Sequence, residues 1–283
     1  MELNDLRYFV EVAKLENINK ASEILNISPG ALSKAVARLE SELEVPLFSR
    51  ERQRIKLTHN GAQLMIKAQQ IVNMEEDART SIGKNNTLNV TVAGEEMLLG
   101  GYSLNIISRL RKTPFSVAYE FKSMKEEDVF HKLKTGEIHI GFTTTEKNGF
   151  KSIEVGKSEF QTVVGKKHPL YQLANQVIPV EQVLKHGFLI PGDNVLGNVK
   201  TTVSTDGWRD DQFPRTILAK TQSLQTLISL LEEGVGVAYL PDYFIKSLDV
   251  KVLNISGCPY SCEQTILMTA FKPENLGWLN QIF

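Results

Sequence analysis

Apolar positions recur at helical steps along the first part of the chain and at shorter, strand-like steps along the rest. Leu6, Phe9, Val10 and Ala13 share one face of a helix predicted over 4–15. Asn17-Ile18-Asn19 interrupts it, and Asn19 is the expected N-cap of a second helix over 20–26. Asn26-Ile27-Ser28-Pro29-Gly30 forms the next break. Ser28 suits an N-cap, and Pro29 suits the first helical position, where a missing N–H costs nothing. The third helix runs to about Leu43, with Leu32, Val36, Leu39 and Leu43 as its buried stripe.

Pro46 ends that helix. Leu47–Arg50 and Ile55–Leu57 are predicted strands on either side of a polar, basic tip, Glu51-Arg52-Gln53-Arg54. Thr58 caps a long helix over 59–83 in which Leu64, Ala68, Ile71, Met74, Ala78 and Ile82 recur mainly at three- and four-residue steps. One narrow stripe cannot stabilise so long a helix alone, so it is expected to pack against a second copy of itself. Gly83-Lys84-Asn85-Asn86-Thr87 reads as a linker. Beyond it, strands at Leu88–Ala93, Val117–Lys122 and Ile138–Thr143 alternate with helices over 100–112 and 126–135, which predicts parallel βαβ units. Further strands are expected near 159–165, 187–190, 216–220, 235–240 and 263–271, with a helix over 223–233 that ends at Gly234.

Composition narrows the classes. The 283 residues suit about two domains, and 42% hydrophobic with 23% charged is globular. No run is long and apolar enough for a membrane span, and the N-terminus does not read as a secretory signal. Cys258 and Cys262 cannot build a disulfide framework; they read as two ordinary thiols or as a redox pair. A cytoplasmic setting fits these features. The net charge is −1, and residues 1–86 carry twelve Lys/Arg against twelve Asp/Glu, so charge totals give no support for nucleic-acid binding.

The placement of residues does give support. A helix-turn-helix needs small and polar residues at the start of its second helix, because bulk there blocks the major groove. The turn Ser28-Pro29-Gly30-Ala31-Leu32-Ser33-Lys34 meets that need, with Ser33 and Lys34 able to reach bases or phosphates. Arg50, Arg52, Arg54 and Lys56 concentrate positive charge at the hairpin, as a wing beside DNA. A solvated basic hairpin on a small helical domain is the alternative.

Residues 1–61 resemble the LysR-type transcriptional regulator family. The resemblance is carried by Ala21-Ser22-Glu23-Ile24-Leu25-Asn26-Ile27-Ser28, Ala31-Leu32-Ser33, Leu39 through Arg50, Leu57-Thr58 and Gly61. It implies an α/β protein with an N-terminal winged helix-turn-helix over 1–58 and a dimerising linker helix and hinge over 59–87. A two-lobed effector-binding domain of the periplasmic-binding-protein type follows over 88–283, with one lobe from about 88–162 and 263–283 and the other from about 163–262. That later region is carried by Leu133 through Phe142, Lys167-His168-Pro169-Leu170 and Glu233 through Pro241. On this resemblance the DNA contacts fall at Ser28, Gly30, Ala31, Ser33, Lys34, Arg38, Arg50, Arg52 and Arg54. Pro29 stands where the family often has a glutamine that contacts DNA, and it cannot make that contact. Effector contacts fall at Gly94, Glu95, Glu96, Ser123, Met124, Thr143, Thr221, Gln222 and Ser223. Glu95 and Glu96 are unsuited to a simple dianion, so a cationic, zwitterionic or neutral effector is expected, or none.

The implied partners are double-stranded promoter DNA with two-fold character, a small-molecule effector and further copies of the chain, as a dimer or tetramer. Contact with RNA polymerase stays open. No cofactor and no catalysis are expected, because His59, His131, His139, His168 and His186 show neither metal-ligand spacing nor a paired nucleophile. A solute-binding sensor that does not act on DNA, or a regulator without an effector, are the alternatives.

Overall fold

The computed structural model describes residues 1–51, 54–82, 87–192, 195–196, 204–258 and 261–283. Three helices open the chain: α1 (Leu3–Leu15), α2 (Ile18–Leu25) and α3 (Pro29–Leu43). Each ends on a left-handed residue, Glu16, Asn26 and Glu44, so the chain turns sharply after every helix. The N-cap of α2 is Asn17, not Asn19: Asn17 Oδ1 accepts from Lys20 N at 3.0 Å, and Asn19 lies inside the helix. The sharp turn at Glu16 brings the new helix in earlier than the sequence break implies.

Leu32, Val36 and Leu39 are buried as expected, but Leu43 is 38% exposed and Ala35 takes its place in the core. Leu43 is the last residue of its helix, and the chain turns away at Glu44 before anything covers it. Strands β1 (Phe48–Glu51) and β2 (Arg54–Leu57) pair antiparallel, with Phe48 opposite Leu57.

Helix α4 (His59–Ile82) packs on α1 through Met65, Ala68 and Val72, which join Leu6, Phe9, Val10, Leu39 and Leu47 in one core. That face is offset from the predicted stripe. Ile71 and Met74 are 39% and 48% exposed, and Ala78 is exposed too. The far end of α4 meets the next region: Asn73 Nδ2 donates to the Gly136 carbonyl at 3.2 Å.

The remainder is built on a curled sheet of nine strands. In chain order its elements are β3 (Thr87–Gly94), α5 (Glu96–Leu110), β4 (Ser116–Ser123), α6 (Glu126–Thr135), β5 (Ile140–Thr143), β6 (Lys151–Gly165), β7 (Val177–Pro179), α7 (Val180–Val183) and β8 (Phe188–Pro191). There follow β9 (Ile217–Thr221), α8 (Leu224–Glu232), β10 (Val237–Pro241), α9 (Asp242–Ile245), β11 (Val250–Val252), β12 (Asn254–Ser256), β13 (Glu263–Ala270) and α10 (Gly277–Asn280). The sheet path is β4-β3-β5-β13-β6-β10-β8-β9, with β11 also on β6 and a separate pair β12-β7.

Two parallel blocks, β4-β3-β5 and β10-β8-β9, are joined by the antiparallel strands β6 and β13. Each block has its own core, one around Val92, Ile106, Phe142 and Trp278, the other around Val163, Phe188, Leu231 and Leu240. The result is a two-lobed α/β fold. Strand β6 runs back to Lys151, well before the expected start near 159. Its first half carries Lys151, Glu154, Gly156 and Lys157 and is held by pairing with β13, which local composition does not announce.

The two lobes meet along a seam. Met97 N on α5 donates to the Val195 carbonyl at 2.9 Å, and the Met97 side chain is buried in the second lobe's core. Gly101 is required there: a Cβ would lie 2.5 Å from the Tyr243 ring of α9. Among the described residues, no helix is long and apolar enough to cross a membrane.

Candidate functional site

Two regions collect the residues singled out from the sequence. The first is the outer face of α3. Ser28 Oγ accepts from Ala31 N at 3.2 Å, so the helix start is capped as expected, and Pro29 occupies the position that needs no N–H partner. Ser28, Gly30, Ala31, Ser33, Lys34 and Arg38 are all exposed, while Leu32, Ala35, Val36 and Leu39 face inward. Nothing lies within 4 Å of where a Gly30 Cβ would be, so this turn stands clear of the body. An open groove lined by Asn19, Glu23, Asn26, Ser28 and Pro29 runs beside it.

The inner side of α3 is fixed by charge. Arg38 Nε donates to Asp5 Oδ2 at 2.7 Å, and a second guanidinium nitrogen reaches Oδ1. Asp5 is 1% exposed, and a carboxylate so buried needs such a partner. Arg38 therefore reaches the outer face while tied to α1. Asp5 carried no visible sequence signal, being one of two acids in α1. Glu40 Oε1 accepts from Leu47 N and Phe48 N at 2.8 and 3.1 Å, which sets the start of the β1–β2 hairpin against α3. Lys56 is exposed and pairs with Glu16 at 3.3 Å. Arg52 and the side chains of Arg50 and Arg54 lie outside the described residues.

The second region is the lobe seam. Gly94 ends β3, and a Cβ there would press on Phe142 at 3.1 Å. Glu95 follows and is 4% exposed. Its Oε1 accepts only a long bond from Glu126 N, 3.4 Å, and its Oε2 is buried with no partner among the described residues. Glu126, which opens α6, is equally buried but well satisfied: it accepts from Thr144 N at 2.6 Å, Thr144 Oγ1 at 2.8 Å and Thr145 Oγ1. Burial, reinforced by the neighbouring Glu126 charge, pushes the Glu95 carboxyl up to about 8. Across the seam the Tyr243 hydroxyl is also buried without a partner among the described residues.

The carboxyl facing Glu95 is therefore Glu126, not its sequence neighbour Glu96, which is only half-buried at the start of α5. Sequence reasoning missed Glu126 and Tyr243 because they come from elements far along the chain. Thr143 is fully buried, its hydroxyl 2.8 Å from that of Thr269, so it braces β5 against β13. Ser123 is exposed and Met124 half-buried beside Gly94, whose carbonyl accepts from Met124 N at 3.0 Å. Thr221 Oγ1 accepts from Ser223 N at 3.1 Å and Ser223 Oγ caps α8 through Thr226 N at 3.2 Å; Gln222 between them is exposed. Those hydroxyl oxygens are engaged in shaping the helix start.

A cavity of about 220 Å³ lies elsewhere, where α4 meets the first lobe, lined by Asn73, Glu76, Leu88, Asn89 and Trp278. His139 and His168 serve structure. His139 Nδ1 accepts from Thr91 N, and His168 Nδ1 from Leu170 N, with the His186 ring 4.8 Å away. Burial pushes both His139 and His168 down to about 4. Cys262 is buried, with its N–H donating to Tyr239 Oη at 2.8 Å, and Cys258 is half-buried. Among the described residues no three His, Cys, Asp or Glu side chains gather as a metal site.

The Glu95 carboxyl gives a pH signature. Its folded value lies above its unfolded one, so the folded state binds the extra proton. Stability from this group is fully present below about pH 4.5 and is lost as pH rises to about 8. Glu95→Gln removes the dependence. The variant and the parent should melt alike near pH 5, with the variant ahead by on the order of 3 kcal/mol near pH 8. A constant difference across that range in thermal melts overturns the assignment.

Residues 3–62 match the bacterial regulatory helix-turn-helix protein family of LysR type, and residues 86–270 match the LysR substrate binding domain. The chain is 23% identical to an uncharacterised HTH-type transcriptional regulator, YybE, of Bacillus subtilis, over 100% of this chain and 97% of that one. Its fold is shared with a full-length single-site variant of OxyR from Pseudomonas aeruginosa, TM-score 0.65 at 22% identity, covering 100% of this chain and 94% of that one. It is also shared with full-length CbnR complexed with its target DNA, TM-score 0.61 at 17% identity, covering 100% and 97%.

Proposed function

Because the chain belongs to the LysR family and is a DNA-binding transcription regulator with an effector-binding domain, we propose that it reads promoter DNA through the outer face of α3. In this reading α4 pairs two copies, and the two-lobed region senses a small molecule. The observation that carries the reading is the capped, exposed and unobstructed start of α3, with Ser28, Gly30, Ala31, Ser33 and Lys34 on one face. In the major groove that turn brings Ser33 and Lys34 to base edges or phosphates, and the free N–H groups of the helix start favour a phosphate. Arg38 flanks the contact, and Arg50, Arg52 and Arg54 lie along the backbone as a wing.

The exposed Ile71, Met74 and Ala78 face of α4 is the dimer surface. A dimer spaces two α3 helices about 34 Å apart, or a multiple of that, on a two-fold site, and two dimers make a tetramer. The chain divides into a DNA-reading unit over 1–58, a linker over 59–87 and a sensing unit over 88–283. Gly94, Glu95, Glu96, Ser123, Met124, Thr143, Thr221, Gln222 and Ser223 border the effector cleft, and regulation rather than catalysis is the activity, exercised in the cytoplasm. An effector acts only by favouring one lobe arrangement, and so one spacing of the DNA-reading units.

Lys34→Ala tests the DNA face. Loss of this charge should weaken binding to promoter DNA by about tenfold and lower the salt slope by about one. An unchanged titration and salt slope would remove Lys34 from the interface. Footprints of the protein with a stabilising ligand should differ in length from those without it.

A further inference from the structure

We propose that the lobe seam at Glu95 is a receptor for a primary ammonium group, held between the Glu95 carboxylate and the Tyr243 hydroxyl. The proposal rests on the reading of this seam as the effector cleft and names the chemical class of what enters it.

Two buried polar atoms, Glu95 Oε2 and Tyr243 Oη, lack partners among the described residues, one from each lobe. They belong together electrostatically, since the Glu95 charge is among those that raise the Tyr243 phenol. Once Glu95 is ionised, Oε2 is a buried acceptor without a hydrogen bond, which is unfavourable unless a donor accompanies the ionisation. Glu126 does not supply one: its carboxylate is filled by Thr144 and Thr145 and adds only negative charge. The charged groups that act on Glu95 are Glu126, which opens α6, and Lys125 just before it, while Tyr243 of α9 feels the charges of Glu95 and Asp242. Lys125 is exposed, and among the described residues its charge is the cation that acts on Glu95. An anion here meets two carboxyls, whereas an ammonium finds acceptors and the rings of Tyr102 and Tyr243, 5.1 Å apart. An ammonium carries three donors on a compact head, which suits a seam where Gly101 and Tyr243 already touch.

Binding exchanges one cation for another. The neutral Glu95 carboxylic acid gives its proton to solvent, and the incoming R–NH3+ pairs with the carboxylate that remains. One proton is released per ammonium bound and no covalent bond to carbon changes. The carboxyl's raised affinity for protons makes this exchange nearly complete near neutral pH and makes ammonium binding tighten as pH rises toward about 8.

The test uses the full chain with methylammonium chloride, tetramethylammonium chloride and sodium acetate as probes, in thermal melts and in calorimetry with buffers of differing protonation enthalpy. Methylammonium should stabilise the protein and release close to one proton. Tetramethylammonium, which has no N–H donor, and acetate should do neither. Glu95→Gln should weaken methylammonium binding by about tenfold or more, and Tyr243→Phe by less, while both variants still melt cooperatively. Equal stabilisation of parent and Glu95→Gln by methylammonium overturns the proposal, and so does stabilisation by acetate alone or by no probe. Footprinting separates the two readings. If methylammonium binds through Glu95 without changing the footprint, the ammonium site stands and the effector reading fails. If an organic anion changes the footprint independently of Glu95 and methylammonium does not bind, the effector reading stands and the ammonium site fails.

Discussion

Replacing Arg215 by Met should cost about 3–5 kcal/mol, the penalty for leaving a buried carboxylate unpaired. Arg215 is 1% exposed in its side chain and Asp206 is 0%. The guanidinium grips Asp206 with two bonds of 2.7 and 2.8 Å and Asp210 at 2.9 Å. It also lies 5.1 Å and 5.4 Å from the ring centroids of Phe188 and Trp208. Burial opposes the charge, but the bonds and charges of Asp206 and Asp210 hold the guanidinium protonated above its ordinary value. Methionine keeps most of the packing and removes the charge, so the loss reports the stranded Asp206. The melting midpoint of this lobe should fall by about 10 °C. Adding Asp206→Asn should recover part of the loss, because the buried pair is then neutral and the remaining carboxylate, Asp210, is 31% exposed. A single-variant cost under about 1 kcal/mol would show that Asp206 finds water or another partner and that the network does not stabilise this lobe.

The second large effect is expected at Gly61. A Cβ on this residue would sit 2.1 Å from the Leu47 carbonyl oxygen and 2.8 Å from Leu57 Cδ2. The same carbonyl already accepts from Thr58 N at 2.9 Å, and Thr58 Oγ1 accepts from Gly61 N at 3.0 Å. Backbone therefore meets backbone where α4 leaves the hairpin, and no side chain can rotate away to make room. Gly61→Ala should cost about 3 kcal/mol, at the upper end of overpacking costs. It should also tilt the β1–β2 wing away from α3, lowering DNA affinity by about tenfold in titrations at fixed salt. Retention of both stability and affinity within twofold would mean that α4 and the hairpin move apart without consequence.

Local features were readable from the order of residues alone. The three opening helices, the Ser28 cap, the Pro29 start and the outward face of α3 follow from spacing and capping chemistry within a few residues, and they survive in the structure almost unchanged. The alternation of strands and helices after Thr87 was legible for the same reason, and so was the position of Gly234 behind α8, with φ +70°. Gly61 was legible as a motif position, although its cause, the Leu47 carbonyl, is tertiary.

What depends on distant partners was not legible. The first half of β6 exists because β13 pairs with it, and Leu43 stays partly exposed because the chain turns away at Glu44. Glu95 was visible as a residue, but its meaning came from Glu126 and Tyr243, brought to it from α6 and α9. Charge and periodicity are properties of a segment. Desolvation and pairing are properties of an enclosure, and only the folded chain encloses that carboxyl and raises its affinity for a proton.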